Sequence, residues 1–415
     1  MKQRHTLSFA SWLAVLGALA PPFAPTTAAA APAGKSVLGA RVSNGQLVSA
    51  DGKALILRGV NVSGLEDYAI QGWAWNGDHT HYEPWGGDRP RWPAILAWHA
   101  NAVRIPLNEA SWLGLTTYDH DGKPRQADPG RNYQSTVINS VREANAAGLY
   151  VILDLHWSGP HVPIPGRPGL LPQTPFEAGG AQNPMADADD SLSFWTSIAT
   201  TFKNNPAVMF ELFNEPYFWW LSPGESEWPV WRDGGTITQY VTGANPYQLS
   251  FSWHSAGMQQ MLLAVRATGA TNIVIAGGVN WCGDMSGWLA HRPEDPTGQL
   301  VAAWHAYPDP KAPTTPAHGA AQYTYLQDLI AKGIPVMITE TGDHNAPGTA
   351  GSPFVSTVLP WADRHGVSYL GWTWNPWQNP DNVLIRDASG APTDGYGRYF
   401  RDHLLCVSTG AGDCP

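Results

Sequence analysis

From residue 55 onward, short apolar runs alternate with longer stretches in which apolar residues recur at helical spacing. Each run is nearly continuous in apolar residues, as is typical of strands buried on both faces of a parallel sheet. The eight runs are residues 55–62, 102–107, 150–156, 208–214, 272–278, 300–307, 335–341 and 369–375. The helical stretches between them include residues 133–147, 191–203, 254–268 and 322–332. Eight such repeats predict a closed (β/α)8 TIM barrel.

The segment before the first run, residues 41–57, carries two turn signals, Ser43-Asn44-Gly45 and Ala50-Asp51-Gly52-Lys53. We interpret this segment as a small N-terminal hairpin that closes the floor of the barrel. The main alternative fold is an open doubly wound sheet, which calls for a glycine-rich phosphate loop after the first strand. Residues 59–64 read GVNVSG instead, and this sequence does not match GxGxxG.

The first 33 residues have the organisation of a signal peptide. A basic start precedes an apolar stretch at residues 7–20 that is too short to span a bilayer, and Ala31-Pro32-Ala33 has the small-x-small form of a cleavage site. We therefore expect residues 1–33 to be removed during export to the periplasm or the extracellular medium. No linker or low-complexity spacer interrupts residues 34–415, which we interpret as a single catalytic barrel domain.

Composition narrows the class of ligand. Charged residues make up only 14% of the chain and the formal net charge is −10, so nucleic acid and anionic membrane surfaces are poor partners. The chain has 21 Trp, an excess that favours a surface for flat, uncharged, amphipathic ligands. We expect a monomer.

Surplus length concentrates in loops that follow strands three and four, at residues 157–190 and 217–252. Barrel enzymes build their sites at this end of the strands, so we interpret the long aromatic βα loops as walls of a substrate cleft. The tryptophans of the loops after strands one and four are Trp73, Trp75, Trp85, Trp219, Trp220, Trp228 and Trp231. Two more, Trp281 and Trp377, follow strands five and eight, where a sugar platform and core packing are equally compatible with the pattern.

The chain has three cysteines, so one must remain unpaired within the chain. Cys406 and Cys414 lie eight residues apart near the C-terminus, where a disulfide could pin the last helix to the tail. This leaves Cys282 as a buried free thiol. None of the three shows the CxxC spacing of a structural zinc site.

Polar residues inside apolar strands are informative because burying them is costly unless they are paired or used. Here they gather at the C-terminal end of nearly every strand, which predicts one shared site in the barrel mouth. The set comprises Asn61, Arg104, His156, Asn214, Glu215, His305, Tyr307, Glu340 and Trp374.

Glu215 and Glu340 end strands four and seven, on different sides of an eight-stranded ring, so their side chains can face each other across its mouth. Two facing carboxylates in unequal environments can split a glycosidic bond, one as a proton donor and the other as an ionised group at the anomeric carbon. Arg104 on strand two is a fixed cation that could hold one glutamate ionised.

A catalytic metal site is the chemical alternative. Its candidate ligands are His156, His305 and Glu340, with Asp154 or His344 nearby. Barrel metallohydrolases typically present an HxH pair on strand one, and this chain has Asn61 there. We expect Asp154 to face away from the site that contains His156. We therefore predict neither a metal nor another cofactor.

These residues resemble glycoside hydrolase family 5, the cellulase family of barrel glycosidases. Asn214-Glu215-Pro216 is similar to the acid/base motif of that family, and Ile338-Thr339-Glu340-Thr341-Gly342 is similar to its nucleophile motif. Arg58-Gly59-Val60-Asn61 is similar to its first strand. The resemblance extends from residue 38 to about residue 405.

The resemblance implies a retaining mechanism in which Glu215 is the acid/base and Glu340 the nucleophile. The other residues of the set would bind or position the substrate. The implied roles are a bond to the sugar 2-hydroxyl for Asn214, orientation of Glu340 for Tyr307, an effect on Glu215 or the sugar for His305, positioning of nucleophile and substrate for Arg104 and His156, and a stacking floor for Trp374.

From the residues and the resemblance together we predict a secreted endo-β-1,4-glucanase that cleaves a polysaccharide or oligosaccharide by double displacement. An endo-β-mannanase or a xyloglucanase of the same family is the alternative within this reaction class. A carbohydrate-binding barrel without catalysis is the alternative outside it, and the presence of both glutamates argues against it.

Overall fold

The computed structural model describes residues 38–66, 89–118, 124–159, 182–218, 226–241, 249–344, 348–349, 351–376, 382–410 and 414. The strands in chain order are β1 Ala40–Ser43, β2 Gln46–Ser49, β3 Arg58–Asn61, β4 Ala102–Asn108, β5 Thr116–Tyr118, β6 Pro124–Gln126, β7 Tyr150–Trp157, β8 Val208–Glu211, β9 Gly235–Val241, β10 Leu249–Ser255, β11 Val274–Gly277, β12 Leu300–Ala306, β13 Pro308–Asp309, β14 Ala312–Pro316, β15 Val336–Thr341 and β16 Ser368–Gly371. The helices are Trp92–Leu96, Glu109–Leu113, Tyr133–Ala147, Ser191–Phe202, Trp228–Asp233, Met258–Ala267, Ala321–Ala331, Val355–His365 and Tyr396–Ser408.

Eight parallel strands close into a barrel in the order β3, β4, β7, β8, β11, β12, β15 and β16, with β16 paired to β3. Every strand of the ring coincides with one of the eight apolar runs, so the prediction of a TIM barrel is confirmed. Two strands end earlier than the apolar pattern indicates, β8 at Glu211 and β16 at Gly371. Functional residues beyond these two ends are therefore held by individual hydrogen bonds and not by a continuous ladder.

The N-terminal hairpin is also confirmed. Strands β1 and β2 pair antiparallel around Asn44 and Gly45. Gly45 has φ +74°, and a Cβ at this position would come within 2.7 Å of the Cα of Gly333, so the turn needs glycine both for its conformation and for the close approach. Leu47 of β2 is buried in the apolar cluster at the barrel floor.

Inward-facing side chains fill the lower barrel with apolar groups. The cluster at the floor includes Leu57, Ala102, Ile152, Met209, Ile275, Ala303, Met337 and Leu370. Because alternate residues of a strand share a face, the residue two positions further along each strand also points inward, nearer the mouth. Asp154 follows Ile152 in this way and shares its face with His156. Our expectation that Asp154 faces away from His156 is therefore wrong.

The region after β8 is more regular than a loop. It contains the helix Trp228–Asp233 and an antiparallel hairpin of β9 and β10. His254 belongs to β10, so the following helix begins at Met258, four residues later than its apolar periodicity suggests. Among the described residues, no helix is both long enough and apolar enough to cross a bilayer.

Two tryptophans of this region do not line a cleft. Trp228 and Trp231 are buried, and the indole of Trp231 donates a hydrogen bond to the carbonyl of Gly277. For these two the interpretation as substrate walls is wrong, because their helix packs inward on the barrel. The other loop tryptophans of that prediction, Trp73, Trp75, Trp85, Trp219, Trp220 and Trp377, lie outside the described residues, as do residues 1–33.

At the C-terminus, Cys406 lies in the last helix and forms a disulfide with Cys414. Cys282 is a free cysteine in the barrel interior, and it is fully buried.

Candidate active site

Glu215 and Glu340 meet across the mouth of the barrel. Glu340 lies in β15, and Glu215 follows the end of β8 by four residues. A carboxylate oxygen of each glutamate and a ring nitrogen of His305 all lie within 4.8 Å of one another. The Nδ1 of His305 is 2.9 Å from Glu215 Oε1 and 3.6 Å from Glu340 Oε2. The sequence prediction that these side chains converge agrees with this geometry.

Glu340 is held by two donors. The guanidinium of Arg104 donates to Glu340 Oε1 at 2.6 Å, and the hydroxyl of Tyr307 donates to Oε2 at 2.8 Å. Because each oxygen has its own donor, the carboxylate has a fixed orientation. The residue Glu340 is only 3% exposed.

Arg104 organises the polar layer below the two glutamates. Its Nε donates to Glu211 Oε2 at 2.5 Å, and its Nη2 lies 2.9 Å from Asp154 Oδ2. It also donates to the amide oxygens of Asn61 at 3.0 Å and Asn214 at 2.8 Å. Arg104 and Asn61 have no exposed surface, so they position neighbouring side chains and do not reach a sugar. For Asn61 this placement differs from its prediction as a substrate-binding residue, whereas Arg104 contacts Glu340, as expected of a residue that positions the nucleophile.

Glu215 has a different set of partners. His305 lies at hydrogen-bond distance from one oxygen, and the side-chain amide of Gln182 donates to the other. The carbonyl of Gln182 in turn accepts a hydrogen bond from the hydroxyl of Tyr217 at 3.1 Å. Glu215 is thus held by one strand residue, His305 of β12, and by one loop residue, Gln182, whereas Glu340 is held from the strands and their ends.

His156 is held by a hydrogen bond to Asp154 and by stacking against Trp372. Its Nδ1 lies 2.7 Å from Asp154 Oδ2, which fixes the ring. The indole of Trp372 stacks on the imidazole with 5.4 Å between centroids and 4° between planes. Trp372 is half-buried. Its backbone N–H donates to the carbonyl of Thr341, the residue that follows Glu340, so Trp372 lies close to that glutamate.

Trp374 does not occupy the position predicted for it. The residue is buried to 4% exposure and packs edge-on against Trp98 at 4.7 Å between centroids. Strand β16 and its alternation of inward and outward side chains end at Gly371. Beyond Gly371, the alternation of side chains along a strand therefore no longer indicates which indole faces the site. The structure places Trp372, and not Trp374, beside the polar cluster.

Charge in the mouth is nearly balanced. Four carboxylates face three groups that are positive when protonated: Asp154, Glu211, Glu215 and Glu340 against Arg104, His156 and His305. Burial opposes the charged form of each histidine, but the acidic neighbours outweigh burial and raise the pKa of both above its ordinary value.

The pKa values of the two glutamates shift in opposite directions in the free protein. Burial raises the pKa of Glu340, and this effect exceeds the opposing charges of His305 and Arg104. Burial also acts on Glu215, but the hydrogen bond and charge of His305 outweigh it and lower the pKa of Glu215. This order is the reverse of the one that an acid/base Glu215 and an ionised Glu340 require at the moment of bond cleavage.

The residues do not suit a metal ion. The candidate metal ligands His156 and Asp154 bond to each other and, among the described residues, do not join the group formed by Glu215, His305 and Glu340. Both oxygens of Glu340 already accept hydrogen bonds, one of them from the positive Arg104. A cation placed there would meet the positive charge of Arg104.

Sequence reasoning missed four residues of the site. Asp154 and Glu211 are charged residues at inward positions of apolar strands, so the cost of burying them was a usable signal. Trp372 sits among several tryptophans past strand eight, where alternation gives no guide. Gln182 lies in a long loop without periodicity, and no sequence signal marks it.

Comparisons with known proteins agree with this geometry. The family model described as Cellulase (glycosyl hydrolase family 5) matches residues 66–378. The chain is 23% identical over 392 residues to Endoglucanase N of Pectobacterium atrosepticum, covering 90% of this chain and 67% of that protein. It is 23% identical over 371 residues to a mannan endo-1,4-beta-mannosidase of Streptomyces lividans, covering 88% and 71%. The chain thus spans about two thirds of the length of these curated relatives.

Solved structures share the fold. A beta-mannanase from Streptomyces thermolilacinus superposes with a TM-score of 0.56 at 20% identity, covering 91% of this chain and 98% of that one. The family model spans most of the chain and includes Glu215 and Glu340. The protein belongs to glycoside hydrolase family 5 and is a glycoside hydrolase.

Proposed function

We propose that the protein is an exported, retaining endo-β-1,4-glucanase. The distance between the two glutamates carries the mechanistic part of this proposal. An oxygen of Glu215 and an oxygen of Glu340 lie within 4.8 Å of each other. Retaining glycosidases hold their carboxyl groups about 5–5.5 Å apart, and inverting enzymes about 6.5–9.5 Å apart to admit a water. The spacing here supports direct attack by a carboxylate.

In the first step, Glu340 attacks the anomeric carbon while Glu215 gives its proton to the glycosidic oxygen. The bond to the leaving sugar breaks with its electron pair on that oxygen, and a glycosyl ester forms on Glu340. Because the pKa of Glu340 is raised and that of Glu215 is lowered in the free protein, substrate binding must reverse this order. Positive charge that develops at the anomeric carbon stabilises the ionised form of Glu340, and the glycosidic oxygen gives the proton on Glu215 an acceptor.

In the second step, Glu215 is ionised and removes a proton from water, which attacks the anomeric carbon from the face that the leaving group vacated. The ester breaks and Glu340 is released as a carboxylate. His305 contacts Glu215 in both protonation states, because an imidazole nitrogen donates to a carboxylate or accepts from a carboxylic acid. The product keeps the β configuration after two inversions.

The sugar attacked by Glu340 would lie between Asn214 and Trp372. The amide oxygen of Asn214 accepts from Arg104, which leaves its amide N–H groups to donate to a sugar hydroxyl. Trp372 offers an indole face held flat by His156. A pyranose ring has an apolar face that stacks on such a surface. We assign to Trp372 the stacking role that the sequence suggested for Trp374.

Export is supported by the signal-like residues 1–33 and by the disulfide between Cys406 and Cys414, since disulfides persist in oxidising compartments. The name of the endoglucanase relative supports a glucan substrate and internal cleavage. The mannan-specific relatives favour endo-β-mannanase as the second candidate.

A panel of soluble cellulose derivatives, mixed-linkage glucan, xyloglucan and β-mannan tests the proposal, with product sizes followed over time. We expect fastest cleavage of the unbranched glucans, with intermediate products before disaccharides. Proton NMR of the first minutes should show the β anomer of the new reducing end. Faster cleavage of mannan would transfer the assignment to the second candidate, and a first-formed α anomer would contradict the retaining mechanism.

A further inference from the structure

Glu215 lies four residues beyond the end of β8, so individual hydrogen bonds fix its position. The N–H of Asn214 donates to the carbonyl of Leu155 at 3.0 Å and holds the backbone before it. The N–H of Trp281 donates to the carbonyl of Pro216 at 2.9 Å and holds the backbone after it. The carboxyl group can still rotate about the bonds of its own side chain, and its orientation decides whether its proton meets the glycosidic oxygen.

Two described side chains hold the carboxyl group of Glu215, one at each oxygen. His305 of β12 lies 2.9 Å from Oε1, and the side-chain amide of Gln182 donates to Oε2. His305 also lies 3.6 Å from Glu340 and 3.9 Å from Glu211, so it serves several carboxylates. Among the described residues, Gln182 bonds to Glu215 and to neither of the other two glutamates. It is therefore the partner that acts on the acid/base candidate alone.

The segment that presents Gln182, residues 182–188, is itself held in place. Residues 183–187 are buried, and the carbonyl of Gln182 accepts a hydrogen bond from the hydroxyl of Tyr217 at 3.1 Å. Three backbone hydrogen bonds of 2.9 Å join the segment to the chain beyond β8 and to β10 and its end: Tyr217 to Pro184, Ala256 to Ala186, and Ala188 to His254. An amide presented from a fixed backbone can hold its acceptor within the narrow tolerance that catalysis needs.

Gln182 is neutral, whereas the other groups that face Glu215 from the surrounding strands are ionisable. They are His156 in β7, His305 in β12, Tyr307 just beyond β12, and Glu340 in β15. Burial raises the pKa of Glu215, but the hydrogen bond and charge of His305 outweigh it, and the charge of His156 and the amide of Gln182 add to the lowering. A neutral donor thus favours the ionised carboxylate without changing the charge of the cluster.

We infer that Gln182 is a positioning residue for the acid/base, and that its amide fixes the plane of the Glu215 carboxyl group in both steps of the reaction. This inference rests on the proposed function. In the first step, the fixed plane aims the proton of Glu215 at the glycosidic oxygen, which takes it as the bond to the leaving sugar breaks. In the second step, the amide donates to the carboxylate that removes a proton from water. An amide N–H can donate to a carboxylate or to the carbonyl oxygen of a carboxylic acid, so the contact persists through both proton transfers.

A series of aryl β-cellobiosides tests this role, because phenols of different acidity differ in their need for a proton. Gln182→Met keeps the approximate shape of the side chain and removes the amide. On cellobiosides of weakly acidic phenols, we expect kcat/KM to fall about 10-fold, in the range for loss of one hydrogen bond. On 2,4-dinitrophenyl β-cellobioside, kcat/KM should change by less than about twofold, because this phenolate leaves without a proton. A plot of log kcat/KM against the pKa of the phenol should therefore become steeper.

The dinitrophenyl substrate also reports the second step. With so good a leaving group, breakdown of the glycosyl-enzyme limits kcat, and this breakdown needs Glu215 as the base. For Gln182→Met we expect kcat on this substrate to fall about 10-fold. KM should fall by the same factor, because kcat/KM is nearly unchanged. A residue that only stabilised the fold would not produce this division between kcat and KM.

The pH profile provides a further readout. Glu215 must be protonated in the first step, so kcat/KM on the weakly acidic phenols falls as pH rises through the apparent pKa of the acid/base, which forms the basic limb. Loss of a donor to the carboxylate raises that pKa, so in Gln182→Met the basic limb should move upward by about half to one unit. Gln182→Glu places a second carboxylate beside Glu215 and should move the limb further in the same direction.

Gln134→Met is the matched control. The amide of Gln134 also donates to a protein oxygen, the carbonyl of Trp112, and it has no described contact with the glutamate pair, so all three readouts should stay unchanged. Tyr217→Phe removes the hydroxyl that holds the carbonyl of Gln182 and keeps the amide, so it should show the same changes at a smaller size. This variant carries the test if Gln182→Met does not fold, and melting curves at the assay pH verify the fold of each variant.

Equal losses of kcat/KM across the phenol series, or a basic limb that does not move, would overturn the inference. Failure of the proposed function has a different signature, because it affects the wild-type enzyme. If the wild-type enzyme hydrolyses aryl β-mannobiosides and not aryl β-cellobiosides, the glucan assignment fails. The same series of phenols on mannobiose then tests Gln182, with the same outcomes expected.

Discussion

The floor and the mouth of the barrel are built by the same strands, two residues apart. Ala102, Ile152 and Met209 lie in the apolar floor, and the residues two positions later are Arg104, Asp154 and Glu211. Both layers are buried, so burial does not distinguish them. The floor gains stability from each contact, whereas the mouth holds charges that cost free energy unless every partner is present. Stability and chemistry are thus separated along the barrel axis.

The largest expected effect lies at the top of the mouth and separates the two glutamates. Glu340→Ala removes the atom that forms the covalent ester, and we expect kcat to fall by about 10⁴-fold or more. Glu215→Ala removes proton transfer only, with a loss of about 10²–10⁴-fold on substrates with poor leaving groups. Rates on glucan and on an activated aryl glycoside measure both effects.

Added azide provides the check on these roles. It needs no base, so with Glu215→Ala it should restore turnover of the aryl glycoside and give a β-glycosyl azide. With Glu340→Ala, azide can enter only from the opposite face and should give the α-azide. A β-azide from the Glu340 variant would mean that the roles are exchanged.

The next effect tests the claim that the mouth depends on complete pairing. Arg104→Met leaves Asp154, Glu211 and Glu340 without their shared cation, and we expect a loss of about 3–5 kcal/mol in the free energy of unfolding. In the wild type, burial opposes ionisation of Glu211, but Arg104 and His305 outweigh it and lower its pKa to about 2. This ionised carboxylate therefore stabilises the fold above its unfolded pKa, and that stability is lost as pH falls towards 2.

In the Arg104→Met variant, the contribution of these carboxylates to stability should instead rise as pH falls, because buried carboxylates without a cation are tolerated better when protonated. Urea unfolding at pH 7 and pH 4.5 measures this dependence, and the deficit relative to wild type should be smaller at pH 4.5. A deficit that is independent of pH would indicate lost packing of the arginine stem and not lost pairing.

The corresponding change at the floor is Met337→Ala. It leaves a cavity among apolar neighbours and should cost about 2–5 kcal/mol of unfolding free energy, a loss comparable to that at the mouth. Its pH dependence should match that of the wild type, and kcat measured below the melting temperature should be unchanged. A large drop in kcat would break the separation between floor and mouth.

A region outside both layers gives a smaller effect. The double variant Cys406→Ser, Cys414→Ser removes a disulfide between residues that are only 8 positions apart. The chain-entropy relation gives roughly 3 kcal/mol for a 15-residue loop, so the loss in unfolding free energy should be smaller than that. Hydrogen exchange should increase in the last helix first, because helix ends at a chain terminus open locally. Activity should be unchanged, and reductant added to the wild type should reproduce the effect.

The smallest effect concerns one hydroxyl. Burial raises the pKa of Glu340, and Tyr307→Phe removes a donor that favours its ionised form, so the pKa should rise further. The acidic limb of the pH profile of kcat/KM should move upward by about one unit, equivalent to about 1.4 kcal/mol. Tyr150→Phe, which removes a buried hydroxyl at the floor, is the matched control and should leave the limb in place.

The floor and the order of the strands were predictable from sequence because a strand buried on both faces leaves a nearly continuous apolar run. The convergence of Glu215, Glu340 and Arg104 was predictable because a charged residue ending such a run needs a partner or a use. The prediction failed where strand geometry stops. Past Gly371 the choice between Trp372 and Trp374 depends on local hydrogen bonds, and Gln182 reaches Glu215 from a loop with no pattern.

The position of the three cysteines has a consequence for how the chain pairs its thiols during folding. Cys282 ends up sealed in the barrel behind His305, but it is accessible until the barrel closes. Pairing of Cys406 with Cys282 would close a loop more than a hundred residues long, against a separation of 8 residues for the native pair. The longer loop is about four doublings of the shorter one, and each doubling adds about 0.6 kcal/mol to the entropic cost of closing a loop. Loop closure therefore favours the native pair. Proximity along the chain thus favours the native disulfide over a mispairing with the thiol behind the active site.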